Sequence, residues 1–164
     1  WNEARAACCA LNATGTCAGN GSGWRLCDAS DWTAACRGPA PSTCTWSYSG
    51  GAPTCATSAV NTCNGEEFDS SGAAGDQDAL YPTSSTTFPM CYATWGGAMT
   101  DRIYDMSGNA REWTATETSS GSGFYFMRGG SYNNIEPGRT CSFDFAAAAP
   151  SFAFTNTGFR CCFY

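Results

Sequence analysis

IYDMSGNAREWT, residues Ile103 to Thr114, places two acids, Asp105 and Glu112, seven residues apart around Ser107-Gly108-Asn109. Gly and Asn tolerate the left-handed backbone that a tight reversal needs, so the chain turns here. A carboxylate before the turn and another after it converge on one point, and main-chain carbonyls of the turn face the same point. An all-oxygen set suits a hard cation such as calcium, which takes about 6–8 oxygen ligands. The competing reading is a surface turn with two solvated acids and a half-buried Trp113.

The composition around this turn narrows the chemistry. At 164 residues the chain is read as one domain, long enough to bury a core. A net charge of −6 argues against a nucleic-acid partner, which requires a basic patch. All eight basic residues are Arg; Lys and His are absent. That removes the commonest general base and every Ser-His or Cys-His nucleophile pair. Twelve cysteines, an even number without a Cys-x-x-Cys, read as a disulfide framework rather than a zinc ribbon. These are Cys8, Cys9, Cys17, Cys27, Cys36, Cys44, Cys55, Cys63, Cys91, Cys141, Cys161 and Cys162. Their pairing stays open. No apolar run approaches the length of a membrane span. Such a cysteine density implies export, so something upstream of Trp1 is expected to have been removed, omitted or to lie on another chain.

Residues 1–12 read as a short helix capped by Asn2, with Cys8 and Cys9 directed to different partners. Residues 13–23 read as a loop. GWRLCDASDWTAACRG, residues 23–38, holds a second helix with Asp28 as N-cap, Asp31 three residues on, and Gly38-Pro39 as its stop. Trp32 and Cys36 share one face of it. Residues 39–100 are mostly irregular, and their acidic piece from Asn64 to Asp78 is either a second cation site or a solvated loop. Residues 123–132 read as a strand ending in a Gly-Gly kink. Thr140–Phe145 and Gly158–Phe163 are further strand candidates, and Ala146–Ala149 is ambiguous between helix and strand. Asn12-Ala13-Thr14 and Asn20-Gly21-Ser22 match the glycosylation sequon.

Four segments in this order, GWRLCDASDWTAACRG, IYDMSGNAREWT, MRGGSY and TGFRCC, resemble the formylglycine-generating enzyme (sulfatase-modifying factor) domain family. The resemblance implies an α+β fold, a loop-rich variant of the C-type-lectin fold. It also implies two calcium sites. The first uses the side chains of Asp105 and Glu112 with the carbonyls of Gly108 and Ala110. The second uses Asn61, the carbonyl of Thr62, and Asp76 or Asp78 with a nearby carbonyl of Asp78 or Leu80. Family enzymes oxidise a sulfatase cysteine with a copper-binding cysteine pair. Those positions are Asn134 and Arg139 here, and neither supplies a soft thiolate. A related branch holds iron through histidines, which this chain lacks. The family's N-terminal strands are also missing, which implies an open sheet edge for strand donation or self-assembly.

The resulting expectation is a non-catalytic, secreted, calcium-binding structural or binding module, such as a self-assembling subunit of an extracellular filament or matrix. One alternative is a copper oxidase with a relocated thiol pair. Another is a carbohydrate-binding module presenting Trp46, Tyr48, Tyr81, Tyr92 and Trp95. Arg25, Arg128 and Arg160 are expected to be partly buried and paired.

Overall fold

The computed structural model describes residues 1–17, 22–39, 44–50, 54–75, 78–83, 86–96 and 101–164. In chain order its regular elements are α1 (Asn2–Cys9), β1 (Trp24–Leu26), α2 (Ala29–Arg37), β2 (Tyr92–Thr94), β3 (Arg102–Tyr104), β4 (Arg111–Glu117), β5 (Tyr125–Arg128), β6 (Phe145–Ala148), β7 (Thr157–Phe159) and β8 (Cys161–Phe163). This is a small α+β architecture. Antiparallel pairs β1–β8 and β2–β3 flank a four-stranded sheet of order β6-β5-β4-β7. Within that sheet β4 runs antiparallel to β5 and parallel to β7.

Ile103–Thr114 is not a β-hairpin. The strand before the turn, β3, pairs with β2, and the strand after it, β4, pairs with β5 and β7. The turn therefore joins two sheets. Its reversal uses three left-handed residues, Asp105 (φ 56), Gly108 (φ 97) and Asn109 (φ 65). The first of these lies outside the Ser-Gly-Asn segment that marked the turn.

Helix α1 is shorter than its composition suggests, and Trp1 occupies the N-cap position without a side-chain capping bond. Asn12, beyond the helix, holds β1 instead: its amide donates to the Trp24 carbonyl at 2.8 Å and accepts from the Trp24 N–H at 2.7 Å. With the Asn12 amide nitrogen also donating to Thr16, this sequon is tied into the fold; Asn20 of the other lies outside the described residues. Trp1 anchors α1 by stacking on Tyr125 at 4.0 Å and donating its indole N–H to the Thr114 carbonyl. Helix α2 begins after Asp28 as read, but the carboxylate makes no capping bond and lies 3.5 Å from Arg25.

The Thr140–Phe145 stretch is mostly turn, and the strand falls on the ambiguous alanines as β6. A run of four alanines before Pro150 is too short to nucleate a helix, and pairing with β5 decides its state. Gly158–Phe163 is two strands broken at Arg160, β7 and β8, which belong to different sheets.

Six disulfides join the pieces: Cys8–Cys161, Cys9–Cys17, Cys27–Cys162, Cys36–Cys141, Cys44–Cys55 and Cys63–Cys91. Cys161 and Cys162 point to opposite faces of β8, as neighbours on a strand must, so one reaches α1 and the other the end of β1. The bridges are part of the core. Cys27, Cys36 and Cys141 pack with Trp32 and Met106 under the central turn. Cys44, Cys55, Cys63 and Cys91 surround Trp46, Tyr48 and Phe88. A third cluster places Ala4, Cys8 and Leu26 against Trp113 and Met127.

Candidate functional site

The central turn is held from four directions. The Asp105 N–H donates to the Cys91 carbonyl, Gly108 N–H to Gly129, Asn109 N–H to Asn64 and Tyr132 N–H to Asn109. The Asn109 side chain behaves like a short piece of strand: its amide donates to the Tyr81 carbonyl and accepts from the Tyr81 N–H, both at 2.9 Å. It also accepts from Asn64, whose amide reaches the Ala79 carbonyl as well. One buried asparagine thus replaces a sheet contact between the turn and the irregular loop, satisfying buried backbone groups.

Asp105 and Glu112 are both buried, at 8% and 7% exposure, which removes the reading of two solvated acids. Glu112 is paired with a guanidinium. Arg160 donates from Nε to Glu112 Oε2 at 3.0 Å and from Nη2 to Oε1 at 2.7 Å; Nη2 also donates to the Tyr104 carbonyl at 3.0 Å. The Trp32 indole N–H gives a further bond to Oε2 at 2.7 Å. Burial opposes the Arg160 charge most. The Glu112 charge and hydrogen bonds, with the Asp105 charge behind them, outweigh it and hold the guanidinium above its ordinary range. Three donors meet the Glu112 carboxylate, two from Arg160 and one from Trp32, and one of its roughly four acceptor sites, on Oε1, faces none of them. For the second implied site, Asn61 is exposed with a left-handed backbone, Thr62 and Asp78 are half-buried, and Asp76 lies outside the described residues.

The positions matching the copper cysteines have internal work. Asn134 accepts from the Ser131 N–H at 2.9 Å and from its hydroxyl at 3.0 Å, closing the turn after β5. Arg139 is fully buried, donating to the Cys63 carbonyl at 3.1 Å and pairing with Glu67. Glu67 accepts from the Glu136 N–H with its other oxygen. The buried Glu136 carboxylate takes the hydroxyls of Tyr48 and Ser58. The acidic loop is therefore turned inward at Glu67, and Glu67, Glu136 and Arg139 form a network that sequence reading missed. An Arg followed two residues later by Cys gave no sign of its acidic partner 72 residues upstream.

Two phenols in this framework are held neutral. Burial, then the Glu136 charge, moves Tyr48 far above the ordinary tyrosine range. Burial, with the Asp31 and Asp28 carboxylates adding and the Asp28 N–H opposing, raises Tyr164 to about 12. An unfolded tyrosine loses its proton near pH 10, so above that pH the unfolded chain binds fewer protons than the folded one. The stability contributed by these phenols is complete below about pH 10 and falls as pH rises toward 12 and beyond. Alkaline titration followed by phenolate absorbance is expected to show two late tyrosines that ionise together with unfolding. Seven tyrosines titrating uniformly in the folded protein would contradict it.

Among the aromatics proposed as a carbohydrate platform, Trp46, Tyr48 and Tyr92 are buried and Tyr81 packs edge-on against Phe68 and Phe88. Only Trp95 of the five is exposed, at 42%. Loop composition suggested surface, but these rings fill the space between the bridges. Arg25, Arg128 and Arg160 are paired as expected, with Asp28, Asp144 and Glu112.

A family model described as a sulfatase-modifying factor enzyme 1-like domain matches residues 1–163. Among solved structures the chain is similar to a Treponema denticola protein, variable protein 1, with a TM-score of 0.52 and 17% identity. The match covers 92% of this chain and 52% of that one, so the chain spans about half of that protein's length. At this identity the likeness is one of fold alone. Comparison with curated proteins gave no match.

Proposed function

The chain belongs to the sulfatase-modifying factor enzyme 1-like family, and from that premise we propose a non-catalytic member: a single disulfide-stapled domain, C-type-lectin-like in fold, that acts outside the cell by binding or assembling with other protein. The observation that carries this reading is the fate of the copper-site positions. Asn134 and Arg139 are bound internally, and Arg139 places a fixed positive charge where a Cu(I) thiolate would be needed. All twelve cysteines are bridged, so a relocated thiol pair has no residues to use.

Disulfides persist in oxidising compartments, which favours an exported location. Among the described residues no helix is long and apolar enough to cross a membrane. For assembly, the outer strands β6 and β7 are the edges of the larger sheet, and an edge strand is a template for another chain. The central turn with Asp105, Gly108, Ala110 and Glu112, and the stretch with Asn61, Thr62, Asp76 and Asp78, are the two places that the family resemblance gives to calcium.

Two measurements test the assignment. With copper, oxygen and a peptide carrying a sulfatase-type cysteine, mass spectrometry is expected to find no aldehyde. Thiol titration of the denatured protein is expected to return none. Aldehyde formation, or two titratable thiols, would sink the reading.

A further inference from the structure

Five of the six bridges have both half-cystines inside a core cluster or packed against one; Cys9–Cys17 has neither. It closes a small loop at the end of α1, and residues 13–16 inside that loop are all exposed. The loop also carries Asn12, whose side chain takes the N–H and the C=O of Trp24 at 2.7 and 2.8 Å. Those groups lie on the edge of β1 turned away from β8. Gly23, one residue before, exchanges both of its backbone bonds with Tyr164, at 2.9 and 3.1 Å, and successive residues of a strand point their bonds to opposite sides. We propose that Cys9–Cys17 is a thiol-exchange site: a dithiol in solution opens this bridge alone, and opening it releases the Asn12 clamp from the edge of β1.

The chemistry is ordinary exchange. Cys17 is half-buried and Cys9 is only 4% exposed, so the incoming thiolate attacks Cys17 sulfur. A mixed disulfide forms, the Cys9–Cys17 bond breaks, and Cys9 leaves as a thiolate that takes a proton from solvent. The second thiolate of the reagent then displaces Cys17 and closes a cyclic disulfide. The dithiol is oxidised and the bridge becomes two thiols. Access selects this bridge, because the other sulfurs pack among rings such as Trp32, Trp46 and Trp113 and are reached only when a core cluster opens. The release follows from how the loop holds Asn12. Its N–H donates to the Cys9 carbonyl at 3.1 Å, its carbonyl accepts from Gly15 at 2.8 Å, and its amide also reaches the Thr16 carbonyl at 2.8 Å. The bridge fixes both ends of that short path. Once it is cut, the loop gains conformational freedom and water competes for each of these exposed bonds.

The test uses the intact oxidised chain and dithiothreitol under native conditions. With samples alkylated at intervals and mapped by mass spectrometry, Cys9 and Cys17 are expected to be labelled before any other cysteine. A different pair labelled first, or all twelve labelled together, would overturn the proposal. Hydrogen exchange followed by NMR, on the protein with this one bridge open, reads the coupling. The Trp24 N–H is expected to exchange about tenfold faster than in the oxidised protein, while the Gly23 N–H, which faces β8, keeps its rate. Faster exchange at both, as general loosening gives, or at neither, counts against the clamp. Asn12→Ala in the oxidised protein should reproduce the Trp24 acceleration, and opening the bridge in that variant should add none. A full further acceleration there would show that the bridge acts on Trp24 by another route. If Asn12→Ala does not fold, the comparison of Trp24 with Gly23 in the wild type still decides.

Discussion

Gly108→Ala is expected to destabilise the protein by about 3–4 kcal/mol, from left-handed strain and a displaced backbone together. Gly108 sits at φ 97, a conformation that an L-residue adopts only under strain. An added Cβ would also overlap the Asn64 carbonyl oxygen and touch the Arg139 side chain. That carbonyl accepts the Asn109 N–H at 2.9 Å, so moving it loosens the turn as well as the loop. Gly121→Ala provides the control. It has a comparable positive φ of 75 but open space around the new methyl. Its cost should stay near 1–2 kcal/mol, which is the strain alone. Urea denaturation of both variants measures the difference. Equal costs would mean that the close approach of Asn64 carries no energy.

Removing the Cys36–Cys141 bridge by Cys→Ala at both positions is expected to cost about 3–4 kcal/mol. The direct separation is 105 residues, but Cys27–Cys162 already closes a nearby path. What the lost bridge releases is a loop of about 30 residues, worth roughly 3.5 kcal/mol in the chain-entropy account. Both half-cystines also pack in the cluster under the turn with Trp32 and Met106, so shortened side chains leave a gap there. Cys9–Cys17 closes a loop with a separation of 8 and lies outside the three core clusters. Its removal should cost about 2.5 kcal/mol, without a gap in a core cluster to add to it. Thermal melting of the two double variants ranks them, and a larger loss at Cys9–Cys17 would contradict the argument.

The local features were legible because their causes are local. Trp32 and Cys36 lie one helical turn apart, Gly38 follows, and α2 ends there. Ser107-Gly108-Asn109 turns because its residues permit it. The adjacency of Cys8 and Cys9 told that they face apart, and they take separate partners. What stayed hidden are contacts between residues far apart in the chain. Glu112 meets Arg160 across 48 residues, and no spacing rule links them. The carboxylate pair suggested a metal, and nothing in its spacing announced that an arginine also meets Glu112. Trp46 and Tyr48 looked exposed because Ser, Thr and Pro surround them. Two bridges, Cys44–Cys55 and Cys63–Cys91, enclose them instead.

The adjacent half-cystines on β8 have a consequence for how the molecule is made. Three links, with separations of 8, 11 and 28, can form while the polypeptide is still being synthesised. Those from Cys161 and Cys162 reach back 153 and 135 positions to the earliest part of the sequence. Until β8 has been delivered, Cys8 and Cys27 remain reactive thiols with no proper mate. An oxidase or isomerase that keeps them from wrong partners until β8 has been made would therefore speed maturation.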